Sequence, residues 1–165
     1  MKKKYESYIN EALNVDLKTV EDPELLNMVV AKIIAIHKND PEYKPSLPDD
    51  TAYYIYLVIC ALSEGGYYRY IETAYSDKTP DAFNEIGASE YANLFAKFNK
   101  ALFEESNKVK GLFKGFRRMK ILRKHTYVFK EEWEKLDTKK PLIPTYVNPY
   151  LKKKVIPVLE KYQTK

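Results

Sequence analysis

The sequence predicts an all-α fold, a compact single domain of about six to eight helices spanning residues 1–165. Three observations predict it. Apolar residues recur at spacings of three and four along most of the chain. Most prolines and glycines fall between those periodic stretches and not inside them. No segment alternates convincingly with period two, "KHTYVF" being the one weak strand candidate.

The elements follow in order. In "DPELLNMVVAKIIAIHKND", Leu25, Leu26, Val29, Val30, Ile33, Ile34 and His37 form an amphipathic stripe, with Asp22 placed to cap it and Pro23 in the first turn. After the prolines of "EYKPSLP", Asp49 or Asp50 can cap "TAYYIYLVICALSE". That segment is apolar on nearly every face and is expected to be the central buried helix. It should stop at Gly65-Gly66, because glycine takes the left-handed conformation without a Cβ clash. A phosphate-binding loop would need more glycines at fixed offsets. "YYRYIETAY" and "PDAFNEIGA" read as short helices, the second stopped at Gly87. Ser89 is placed to cap "EYANLFAKFNKALFEE", where Tyr91, Leu94, Phe95, Phe98, Leu102 and Phe103 make a second stripe. Beyond residue 105 the pattern loosens. "TKKPLIPTYVNPY" reads as a proline-rich connector and "LKKKVIPVLEKYQ" as a last short helix or turn.

Composition narrows the functional classes. The chain is 45% apolar and 31% charged, which suits a globular protein, and its apolar runs break before the ~20 residues of a membrane span. A membrane partner is therefore not expected. The basic start "MKKKYESYIN" has no apolar stretch behind it, so no secretion signal is expected, and the lone Cys60 suits a reducing cytoplasm. Cys60 reads as a buried, inert thiol. The net charge of +5 is unevenly spread: residues 1–105 hold 11 Lys and Arg against 18 Asp and Glu, whereas residues 106–165 hold 17 against 5. An acidic body thus precedes a basic C-terminal extension, and such a division speaks of partners.

At the glycine pair the residues become familiar. An apolar helix, then "EGGYYRYI", a polar break, "DAFNEIGA" and a further aromatic helix resemble the DNA-mimic protein 19-like family. The resemblance runs through Gly65, Gly66, Tyr70, Ile86, Gly87 and Ala88, with Tyr67 and Arg69 standing where that family carries Phe and Gln. Residues 50–104 carry this family-like core, and 106–165 is expected to pack on it as an extension. The resemblance implies a bacterial, all-α domain that binds other proteins, sometimes as a homodimer. The family's name-giving activity is display of carboxylates like a DNA backbone to a transcription factor. This chain departs there, being basic overall, although its acidic part keeps a local version open, with Glu85 and Glu90 as candidate carboxylates.

Nothing marks catalysis. The two histidines, His37 and His125, have no cysteine near them in sequence, and neither HExxH nor paired-cysteine spacing occurs, so neither a metal nor another cofactor is expected. His37 reads as a core or helix-end residue, and His125 as part of a solvated basic segment. Fifteen tyrosines read chiefly as core, and Trp133 as the anchor of a late helix. The sharpest charge feature is "KVKGLFKGFRRMKILRK", where Lys114, Arg117, Arg118, Arg123 and Lys124 are candidate anion-binding residues. One reading is nucleic-acid or anionic-surface binding through 108–124. The preferred reading packs Phe113, Phe116, Met119, Ile121 and Leu122 onto the domain while the cations neutralise the acidic body. On that reading the chain is a protein-interaction module with an unidentified protein partner.

Overall fold

The structure is a computed structural model that describes residues 2–162, with side chains from Ser7 onward, and every regular element among them is helical. In order these are α1 (Lys2–Ala12), a 3₁₀ turn (Leu17–Thr19), α2 (Asp22–Asn39), α3 (Leu47–Thr73), α4 (Thr79–Glu85), α5 (Ser89–Asn107) and α6 (Lys114–Lys139). The short α7 (Asn148–Tyr150) and α8 (Ile156–Leu159) follow, each preceded by a wide π-type turn (Ile143–Val147 and Leu151–Val155). Residues group into two compact units, one running to Tyr56 and resuming at Ile143, the other Leu57–Leu142.

In the first unit α1 packs on α2 through Ile9, Ala12, Ala31 and Ala35, with Leu13, Met28 and Ile34 around them. Small alanines let the two helices approach closely, and the rest of the α2 stripe, from Leu25 to Ile33, is buried as its spacing predicts. His37 lies exposed at the end of α2, its ring edge-on to Tyr43. Asp22 does not cap α2. The N-cap is Glu21, without a side-chain bond, and Asp22 lies inside the first turn. Its carboxylate holds the Lys152 ammonium at 2.6 Å, and its carbonyl accepts from Asn148 Nδ2 at 3.0 Å. The aspartate therefore fastens the C-terminal turns to α2.

Those C-terminal turns are not the expected connector. From 143 to 159 the chain stays helical despite Pro144, Pro149 and Pro157. A proline lacks the N–H of an i→i−4 bond and its ring crowds the carbonyl four residues back. Widening the turn relieves both problems, and Pro149 and Pro157 each sit in the first turn of the α segment that follows a wide one.

The start of α3 also differs from expectation. The helix begins at Leu47, and Asp49 lies fully buried in its first turn. The Asp49 carboxylate accepts the Ser46 N–H (2.9 Å), the Ser46 hydroxyl (2.7 Å) and the Tyr43 hydroxyl (2.7 Å), reaching back across the helix start. Nor is α3 buried on every face. Tyr53 and Leu57 are exposed, and Cys60 is half-buried.

In the second unit the helix breaks where the glycines fall. Gly66 has φ 64 and ψ −154, a region essentially closed to other residues, and a new helical stretch runs on to Thr73. The kink turns Tyr67 and Tyr70 inward among Phe83, Phe95, Phe98 and Phe129, all buried. Tyr67 stacks on Phe129 with centroids 4.5 Å apart. A buried relay then satisfies every hydroxyl in that core. Tyr67 donates to Asn99 Oδ1 (2.8 Å), Asn99 Nδ2 donates to the Tyr70 oxygen (3.0 Å), Tyr70 lies 2.8 Å from Thr79 Oγ1, and Thr79 donates to the Ser76 carbonyl (2.7 Å).

The α4–α5 turn uses Gly87 at φ 81, as expected. Ser89 does not cap α5; Ala88 holds that position, and its N–H bonds the Phe83 carbonyl at 2.8 Å. Of the α5 stripe only Phe103 is exposed. The weak strand candidate "KHTYVF" is helical and lies in the middle of α6.

Two predictions test this core. Gly66→Ala should lower stability by about 1–3 kcal/mol in a urea titration, from backbone strain alone, since a Cβ there meets only Thr126 Cγ2 at 3.9 Å. Burial pushes the Tyr67 hydroxyl far above its ordinary value of 10.0, with smaller contributions from Tyr70 and Tyr75. Because the folded value is raised, this contribution to stability is intact below pH 10.0 and is lost as pH climbs past it. Tyr67→Phe should therefore give a shallower loss of stability at alkaline pH than the parent, read by circular dichroism against phenolate absorbance.

Candidate interaction surface

The residues of the family-like motif divide by role once placed. Tyr67, Tyr70, Ile86 and Ala88 are buried, and Gly66 and Gly87 hold positive-φ turns, so these six build the second unit. Arg69 points to solvent, bracketed by Glu64 at 3.3 Å and Glu72 at 3.7 Å. Gly65 faces a groove.

The candidate anion-binding residues all lie exposed on the N-terminal half of α6. Arg118 donates from Nε to the Ser106 carbonyl at 3.1 Å, and Lys124 lies 3.6 Å from Glu105. Lys114, Arg117 and Arg123 form no ion pair among the described residues. From 106 to 130 the chain holds nine Lys and Arg and no Asp or Glu, so no carboxylate within the segment offsets them.

The expectation that the apolar residues of this segment dock onto the domain is overturned. Leu112 is 99% exposed, Phe113 73% and Phe116 64%, with Met119 and Tyr127 exposed as well; only Ile121 and Leu122 turn partly inward. The reason is helix rotation. α6 packs on α5 through His125, Phe129 and Trp133, spaced by four, and this seam leaves residues 113 and 116 on the opposite side. Trp133 is the expected anchor, with centroids 4.9 Å from Tyr91 and 5.9 Å from Phe129. His125 is not solvated. It is buried edge-on to Phe98, its Nε2 lying 3.2 Å from Glu105. The neutralising half of the expectation holds along one edge, where Lys97–Glu132, Lys124–Glu105 and Lys140–Glu90 join α5 to α6. Glu85 and Glu90 are both exposed, and Glu90 is engaged in that edge.

The outward face of α6 therefore mixes aromatic and cationic side chains. Phe116, Met119, Arg123, Tyr127 and Lys130 recur at spacings of three and four, and Lys120 Nζ lies 4.9 Å from the centre of the Phe116 ring. Beside this stripe is a groove of about 540 Å³ lined by Gly65, Tyr68, Met119, Arg123, Thr126, Tyr127 and Lys130. It brings one residue of the glycine motif and one of the candidate anion-binding set together. The Tyr68 hydroxyl hydrogen-bonds Glu72, and that bond is the main cause of its raised pKa. Sequence reading missed Tyr68, Tyr127 and Lys130, although the spacing from Phe116 to Lys130 is legible in retrospect.

Among the described residues no group of three or more His, Cys, Asp or Glu is placed to hold a metal ion, and no helix is long and apolar enough to cross a membrane.

The exposure of the aromatic residues has a direct test. Phe113→Ser and Phe116→Ser should each leave stability within about 0.5 kcal/mol of the parent, whereas Phe98→Ala in the core should cost about 3–5 kcal/mol. Thermal melts of the three variants decide it.

Residues 44–153, two thirds of the chain, match the family model described as DMP19-like protein. That span contains the glycine motif, all of α6 and the first wide turn and α7 beyond it. No curated protein and no solved structure gives a significant match.

Proposed function

We propose, because the chain belongs to the DMP19-like protein family, that it is a non-catalytic protein-interaction module working through the outward face of α6. The observation that supports this reading is the exposure of Leu112, Phe113 and Phe116 within a segment of unopposed positive charge. Exposed large apolar side chains clustered at one place mark association surfaces, and Phe, Met and Arg are enriched in the cores of such interfaces. The family resemblance points to a transcription regulator as partner. The sign of the α6 surface calls for an acidic face of that regulator and not for its DNA-binding face.

The second reading, nucleic-acid binding through 108–124, is favoured by the eight Lys and Arg of that stretch, which contains no Asp or Glu. The apolar side chains favour protein instead. Leu112 and Met119 offer no ring for a base to stack on, and Lys120 is turned onto Phe116. A tagged chain passed over native lysate should retain a defined partner in ~0.15 M salt. Phe113→Ser with Phe116→Ser should release that partner, and nuclease treatment should leave it bound. Release by nuclease would instead establish the nucleic-acid reading.

A further inference from the structure

We infer that the groove between the Gly65–Tyr68 turn and α6 is a docking cleft for an acidic protein segment carrying an aromatic or large aliphatic side chain. The inference rests on the protein-interaction reading and names the chemistry of the partner. Its walls are Tyr68, Met119 and Tyr127, and its charged groups are Arg123 and Lys130. No carboxylate lines it. Arg123 forms no ion pair among the described residues, and Lys130 has only an exposed contact with Glu134 at 3.7 Å. The two cations stand two helical turns apart, roughly 10 Å along the axis. That is about the span of three residues of extended chain.

The contrast with a second groove of about 410 Å³ sharpens the assignment. Lined by Glu90, Lys97, Glu132, Lys135 and Lys139 among others, it carries both signs of charge, and the Lys97–Glu132 pair at 2.7 Å stays within it. Carboxylates line that groove beside its cations, whereas none lines the Arg123 groove. Gly65 lines the groove, and a Cβ there would come within 2.9 Å of Arg69 Cβ on the next turn. A concave site with apolar walls and cationic ends fits a side chain flanked by carboxylates. A phosphate could answer Arg123 or Lys130 but would leave Met119 and the two rings with nothing to cover them. A flat lipid surface cannot enter a groove.

The test uses the full chain and three fluorescein-labelled probes: a random glutamate–tyrosine copolymer, polyglutamate of matched length, and oligothymidine. Anisotropy at ~0.15 M salt should show the copolymer binding about tenfold tighter than either other probe. Arg123→Ser and Tyr127→Ala, both at exposed positions, should each weaken copolymer binding by about tenfold. Lys135→Ser, in the other groove, should change it less than about twofold. Equal binding of polyglutamate, tighter binding of oligothymidine, or indifference to both groove variants would each overturn the inference. If the lysate partner is lost in the Phe113/Phe116 variant yet retained by Arg123→Ser and Tyr127→Ala, the interaction module stands and this cleft does not.

Discussion

Four polar side chains share a buried relay in the middle of an aromatic core, and the second unit is arranged around it. Tyr67, Asn99, Tyr70 and Thr79 are all buried, and each donated proton finds an acceptor. Leaving one such group unmade costs about 1–3 kcal/mol, whereas each bond made returns only about 1 kcal/mol net. The relay therefore acts less as glue than as a constraint. Only one placement of α5 and the start of α4 against the second half of α3 satisfies it. The Gly66 kink is its precondition, because the helix must change direction there for Tyr67 and Tyr70 to face inward together.

What is held inside decides what is left outside. With Tyr67 and Tyr70 committed to the core, Tyr68 and Arg69 are carried to the surface on the same helical stretch. The same logic governs α6. His125, Phe129 and Trp133 engage the rings of α5, so the outward stripe from Phe116 to Lys130 has no freedom to turn in. Tyr67 joins the second half of α3 to α6 by stacking on Phe129. The groove beside Gly65 thus follows from core geometry, and its walls are presented by backbone that the relay has already fixed.

How much of this was legible in the sequence depends on whether one face of a helix was unambiguous. The stripes of α2 and α5 were, and so were the breaks at Gly66 and Gly87, where no other residue fits cheaply. The cap assignments failed at Asp22 and Ser89 by one residue, since a carboxylate or hydroxyl inside the first turn reads in sequence like one just before it. α6 was hidden because apolar residues occupy both of its faces. One set is spent on α5 and the other is displayed, and periodicity cannot tell a packed ring from an exposed one. The terminal turns were hidden by their prolines, which a wide turn accommodates. Asn99 and His125 gave no signal, because a buried polar group shows itself only through its partners.

The charge division along the chain takes its meaning from these placements. Along the α5–α6 edge Glu105 and Glu90 answer Lys124 and Lys140, and Glu132 answers Lys97 in the other direction; exposed pairs of that kind contribute little to stability. Their effect is on sign: they cancel one edge of α6 and leave the opposite one positive. Lys114, Arg117 and Arg123 remain outside that compensation, beside side chains that gain from leaving water. As the proposed docking face, such a surface would select against a basic partner by repulsion and against a purely ionic one by its unburied rings. Carboxylate display of the kind the family's name describes would need the reverse arrangement, with the cations cancelled and the acids left outward. In this chain Glu90 and Glu105 of α5 are spent on Lys140 and Lys124, while the outward face of α6 stays cationic and aromatic.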